Sequence, residues 1–204
     1  MLRLLNKTMV HLTLFTLVLA VSGATAAGPT EVAKEVIDKV LEILNNPADA
    51  GEAKKDYRQQ LVKQLVDRHF DYQEMAKRSL GLTWTKLNPG QRDEFVRLFA
   101  ELLEASYADK IDKYAKHIRI DYTGESLDGE YAEVRTVVVR PNDRIPLSYR
   151  MLSGSGGWMV YDVVIEGISL VNNYRTQFRE ILANNKPEAL LDILRKKVGD
   201  AHAS

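Results

Sequence analysis

The chain has 204 residues, no cysteine, and 28 basic residues against 28 acidic ones. Without cysteine it can form no disulfide framework and carries no lipidation site for a lipoprotein leader, so a hydrophobic core must stabilise it unaided. The balanced charge argues against the basic surface that nucleic-acid binding needs and against a purely electrostatic clamp on an anionic membrane.

Residues 1–26 read as a secretory signal peptide. Arg3 and Lys7 precede an apolar run from Met9 to Val21, and the small residues Ala24-Thr25-Ala26 follow. The run is shorter than the roughly 20 residues a spanning helix needs, which favours cleavage near Ala26 or Ala27 over an uncleaved anchor. Residues 27–204 then form a single domain, roughly 178 residues in which 26 basic side chains face 28 acidic ones.

A helical hydrophobic period runs from Thr30 to about Tyr114. The first helix starts at a Thr30 cap, repeats Val32, Val36, Val40 and Leu44 on one face, and breaks at Asn45-Asn46-Pro47. A second runs from about Asp49 to His69 with Tyr57, Leu61 and Leu65 inward. Asp71 and Glu74 make a capping box for a short helix that Gly81 ends. Asn88, Pro89 and Gln91 start a long helix whose inner face carries Phe95, Phe99, Leu102, Leu103 and Tyr107.

From about Ile118 to Ile165 the pattern alternates, giving strands His117–Thr123, Tyr131–Arg140, Arg144–Ser153 and Trp158–Glu166. The links between them are short and turn-rich, with no room for a crossover helix, so a four-stranded antiparallel meander is expected. Two helices, Leu170 to about Asn184 and Pro187 to about Lys197, close an α+β fold. The last strand is apolar at nearly every position, so both its faces should be covered, by a helical layer on each side or by a cavity on one.

Chemistry is sparse. Gly154-Ser155-Gly156-Gly157 lies between strands and reads as a hairpin turn. Gly167-Ile168-Ser169-Leu170-Val171 begins like a nucleophile elbow but ends in valine, so Ser169 reads as a helix cap. His69 and His117 lie in separate segments, with no His-x-x-x-His pair for a metal. Asp162, in an apolar strand, either points outward, pairs with an arginine such as Arg175, or serves with Tyr161 or His117 as the base of an isomerase or dehydratase. A lipid-free adaptor with a filled core is a third class.

Three blocks carry a resemblance. They are Phe70-Asp71-Tyr72-x-x-Met75-Ala76 with Leu80-Gly81-x-x-Trp84; Gln91-x-x-x-Phe95-x-x-x-Phe99-x-x-Leu102-Leu103-x-x-x-Tyr107; and Trp158-x-Val160-Tyr161-Asp162-Val163-x-Ile165-Glu166-Gly167-Ile168-Ser169-Leu170-Val171-x-Asn173-Tyr174-Arg175-x-x-Phe178. Over residues 30 to 195 the chain resembles the MlaC, or toluene-tolerance auxiliary, family of periplasmic phospholipid-binding proteins, and the third block is the most specific.

The resemblance implies a curved antiparallel sheet wrapped by about six or seven helices, nuclear-transport-factor-like, around an internal apolar cavity. It implies a soluble periplasmic carrier with diacyl phospholipid as cargo, no cofactor and no catalytic residue. Its partners would be an outer-membrane lipoprotein complex and an inner-membrane transporter bearing a mammalian-cell-entry domain, and its role would be to maintain outer-membrane lipid asymmetry. On that reading Phe95, Phe99 and Leu103 of the long helix are expected to contribute to the tail cavity. Val138, Leu147, Tyr149, Trp158 and Val160 of the sheet are expected to join them. Arg92 and Arg144 are candidates to meet a phosphate headgroup or a partner surface.

Overall fold

The computed structural model describes residues 27–115 and 118–202. The signal-peptide segment and His117 lie outside the described residues.

Helix α1 spans Pro29–Asn45 with Gly28 as its N-cap and Pro29 in the first turn, where the missing N–H is no loss. Thr30 is therefore inside the helix and not its cap. The expected helix from Asp49 is also corrected. Two short 3₁₀ turns, Pro47–Asp49 and Glu52–Lys54, occupy the segment around Gly51, whose φ of 91° interrupts any helix. Helix α2 is Lys55–Asp67. Its inward stripe is Arg58, Val62 and Val66, one position on from Tyr57, Leu61 and Leu65; Arg58 is 1% exposed and Tyr57 46%.

Helix α3 spans Tyr72–Leu80, with the Asp71 carboxylate accepting from the Glu74 N–H and Gly81 at φ 56° after its end. Helix α4 spans Pro89–Tyr114 and opens with the full Asn88/Gln91 capping box. Helices α5, Leu170–Leu182, and α6, Pro187–His202, follow the sheet. Among the described residues no helix is long and apolar enough to cross a membrane.

Among the described residues the sheet has five strands, not four, in the order β1-β2-β3-β4-β5, each antiparallel to its neighbours. Strand β1 is Arg119–Asp128, longer than expected because Gly124 lies within it and not in the turn. A Cβ at Gly124 would stand 2.8 Å from the Arg135 guanidinium on the neighbouring strand, and the register shifts by one residue beside it. Strands β2, Tyr131–Arg140, and β3, Asp143–Gly154, follow by tight turns. Strand β4 is Gly157–Ile165 and β5 is Ile168–Ser169. Glu166 and Gly167 between them both have positive φ, 50° and 82°, the signature of a two-residue hairpin turn, and this turn creates the fifth strand.

Strand β4 is bulged: pairing passes from Arg150↔Asp162 to Met151↔Val160, leaving Tyr161 as the extra residue. Val160 and Val163 consequently pack on the α1 side, whereas Tyr161 packs toward the helical cluster and Asp162 bonds to α5. That is how both faces of the strand are covered. Its edge is covered too, since Val160 exchanges backbone hydrogen bonds with His69 (2.8 Å) and Asp71 (2.9 Å). Across β1, the Thr30 hydroxyl and N–H both donate to the Glu125 carboxylate, fastening the start of α1 to the sheet.

Two apolar cores result. One lies among α3, α4, α5 and α6, where Phe99 meets the Tyr174 and Phe178 rings edge-on at 5.2 and 5.7 Å. The other joins Ala33 of α1 to Ala132, Val134, Met151 and Val160 on one face of the sheet.

Candidate functional site

Between these two cores lies a cavity of about 280 Å³. Cross-strand pairing builds its sheet wall: Tyr149 stands beside Val163, and Leu147 beside Ile165. Helix α2 contributes Val62 and Val66, and the far half of α4 contributes Leu103, Tyr107, Ala108 and Ile111. Leu44, Phe70, Met75 and Leu170 complete the apolar lining.

Most polar groups on the wall are engaged with protein. Gln59 donates to Asp109 at 2.8 Å, and Lys63 reaches Asp67 at 2.6 Å and Glu104 at 3.5 Å. Asp112 accepts two bonds from the buried Arg58, and the Tyr72 hydroxyl donates to Asp67 at 3.1 Å. Burial, reinforced by the Asp67 carboxylate, pushes the Tyr72 phenol far above its ordinary range. Lys63 and Glu104 are more than a third exposed or close to it, and form the polar rim. Such a cavity can hold a large apolar group, and the charged side chains on its lining, Lys63, Glu104 and Asp112, each bond to another protein group.

Asp162 is not on this wall. Its carboxylate accepts from Ser169 Oγ at 2.6 Å, the Val171 N–H at 3.0 Å and Arg150 Nη1 at 3.1 Å. It is thus buried and partnered, by Arg150 and not by Arg175, and it holds the first turn of α5 against β4. Ser169 does cap α5, accepting from the Asn172 N–H at 3.0 Å. Among the described residues no cluster of three or more His, Cys, Asp or Glu side chains could hold a metal.

Leu103, Leu147 and Tyr149 stand on the cavity wall. Phe95 and Phe99 lie two turns and one turn before Leu103 on α4, inside the helical core, and do not line the cavity. Val160 and Trp158 belong to the packing between α1 and the sheet. Val138 is buried on the same sheet face, opposite Ile145 and beyond Leu147. Arg92 lies over the Trp84 ring and donates to the Trp84 and Thr85 carbonyls at 3.1 and 3.5 Å. Arg144 is exposed at the β2–β3 end and reaches Asp121 at 3.3 Å. The walls from α2 escaped the sequence because their stripe begins with an arginine; Val62 and Val66 at i, i+4 were the available signal.

The sequence matches the family described as MlaC protein over residues 34–196. It is 24% identical over 152 residues to the intermembrane phospholipid transport system binding protein MlaC of Haemophilus influenzae, covering 71% of this chain and 70% of that one. In fold it is similar to the phospholipid-binding protein of Ralstonia solanacearum, solved in complex with a phospholipid. That likeness has a TM-score of 0.76 and 24% identity, and covers 86% of this chain and 99% of the other.

Proposed function

Because this chain belongs to the MlaC family, we propose that it is a periplasmic phospholipid carrier that holds acyl tails in the cavity between sheet and helices. The observation that carries the reading is the cavity itself. It is walled by aliphatic and aromatic side chains from five helices and two strands, with charged residues at Lys63, Glu104 and Asp112, the last held by Arg58 behind it.

Each acyl methylene kept from water is worth about 0.8 kcal/mol, so a two-tailed lipid loses on the order of 20 kcal/mol if stranded between membranes. A bilayer already supplies that stabilisation. The carrier need only match it, and direction must come from partners, so the job needs neither a cofactor nor a catalytic group. We assign as those partners an inner-membrane transporter with a mammalian-cell-entry domain and an outer-membrane lipoprotein complex, the shuttle between them serving outer-membrane lipid asymmetry. Arg144, largely exposed, and Arg92 are the proposed contacts for a headgroup or partner. Leu103, Leu147 and Tyr149 are the proposed tail contacts.

The reading is tested by mass spectrometry of organic extracts and native mass spectra of the purified protein. Stoichiometric diacyl phospholipid is expected. A folded protein that is empty, and remains empty after incubation with phospholipid vesicles, would falsify it and favour the enzyme or adaptor.

A further inference from the structure

A second recess, of about 940 Å³, lies where α3 meets the start of α5. Leu170 lines the cavity, and the flanking Ser169 and Val171 line this recess. Four cations stand on its lining, Lys77, Arg78, Arg150 and Arg175, against one carboxylate, Asp162. That carboxylate is already taken by Ser169, Val171 and Arg150, and Glu74 nearby holds Lys77 at 3.3 Å and Arg78 at 2.8 Å. Arg175 makes no hydrogen bond or ion pair among the described residues. Its guanidinium lies against Gly81, where an added Cβ would stand 3.3 Å from Nη2, so the bare backbone of the glycine leaves it room. Residues 27–204 hold 26 basic side chains against 28 acidic ones, so the positive surplus is local to this recess.

The two most exposed large apolar side chains among the described residues border the same place. Ile168, 65% exposed, lines the recess, and Leu82, 84% exposed, follows Gly81 on its lining. A lone exposed leucine means little. Two that flank an arginine without an acid, beside Arg78 stacked on Tyr161 at 4.2 Å, have the make-up of a protein interface.

We propose that this recess is the docking surface for a protein partner that inserts an acidic segment, with an aspartate or glutamate pairing with Arg175 and adjoining apolar residues covering Leu82 and Ile168. This rests on the carrier reading, which requires partners, and adds where one of them binds and with what chemistry. The planar guanidinium fork matches a carboxylate with two parallel hydrogen bonds. A protruding chain fits better than a bilayer, because Arg78 and Arg150 are drawn back onto Tyr161 and Asp162, where a flat headgroup layer cannot follow.

The test replaces Leu82, and separately Ile168, by p-benzoylphenylalanine in the full chain and irradiates the living cells. Leu127, 60% exposed on β1 and outside the recess, is the control position. Both recess positions are expected to cross-link to one protein, within a segment bearing Asp or Glu. Arg175→Glu should lower that yield by roughly 10-fold or more, the effect of turning one close interfacial charge pair into a repulsion. Exchanging the partner's carboxylate for lysine should restore it. Arg175→Gln, which only removes the charge, should act in the same direction, and both variants should keep the Tm and the phospholipid content of wild type. Cross-links to lipid, to a segment without carboxylates or to nothing beyond the Leu127 control overturn the assignment, as does a yield that Arg175→Glu leaves unchanged. Purified wild type without phospholipid removes the carrier reading, and this proposal with it.

Discussion

Arg58 and Asp112 meet inside the protein in a two-pronged ion pair, Nε to Oδ1 at 2.8 Å and Nη2 to Oδ2 at 2.9 Å. The remaining Arg58 nitrogen donates to the Asp49 and Gly51 carbonyls, each at 2.7 Å. One side chain thereby ties α2 to α4 and to the irregular segment after α1. The Asp112 carboxylate, bonded to it, raises the Arg58 pKa still further, so the arginine is permanently charged and needs its partner. Asp112→Ala leaves that charge buried and unpaired, and should lower unfolding stability by about 3–5 kcal/mol. The double change Arg58→Met, Asp112→Leu should lie much closer to wild type. Chemical denaturation of the three proteins checks this order.

Leu147 and Phe99 separate wall from core. Leu147→Gln places an amide on the cavity surface and should reduce retained phospholipid to less than half, with cooperative unfolding preserved. Phe99→Ala opens a hole in the helical core and should cost about 3–5 kcal/mol, with lipid per folded molecule unchanged. Extraction and denaturation on the same preparations compare the two.

Asp162 is read here as an anchor for α5, and Asp162→Asn should cost about 1–3 kcal/mol by weakening its bonds to the Val171 N–H and Arg150. Lipid per folded molecule should follow wild type. If lipid loading collapsed while the Tm held, Asp162 would have to act on the cavity directly.

Acid should act on the contact between α4 and α6. Arg195 grips both oxygens of Glu94 at 2.8 Å, and these hydrogen bonds hold the Glu94 carboxyl below its ordinary value. A depressed carboxylate pKa contributes stability above the unfolded value, near pH 4.3, and loses it as pH falls through the folded one. Glu94→Gln should therefore show a lower Tm than wild type at neutral pH, and the two curves should converge as pH falls below the ordinary carboxylate range. Parallel curves across that range would count against the assignment.

The start of α4 was legible because a capping box is local: Asn88, Pro89 and Gln91 specify it without knowledge of the rest of the chain. The three hairpins joining β1 to β4 were legible for the same reason, apart from Gly124, whereas the Glu166-Gly167 hairpin that adds β5 was not expected. Glycine marks a turn and a close approach equally well, and only the Arg135 side chain on the next strand decides between them. The register of α2 was hidden because an arginine that will be fully paired at distance looks, in sequence, like a residue for solvent. The cavity was hidden more deeply. Phe95, Phe99 and Leu103 share one face of one helix, and periodicity reports only that this face points inward. Whether it meets Phe178 or open space depends on where α5 and α6 stop covering it, and that is a property of the assembled helices.

The sheet's two borders are poor templates for strand addition. At one border the strand amides of β4 are used up by the His69–Asp71 segment and by the short β5. At the other, β1 is bent by its irregular register at Gly124 and is studded with Arg119, Asp121 and Glu125. Neither border offers a straight, uncharged row of free backbone groups on which a second sheet could grow. The same borders that close the sheet around its cavity therefore also keep it from serving as a template for added strands.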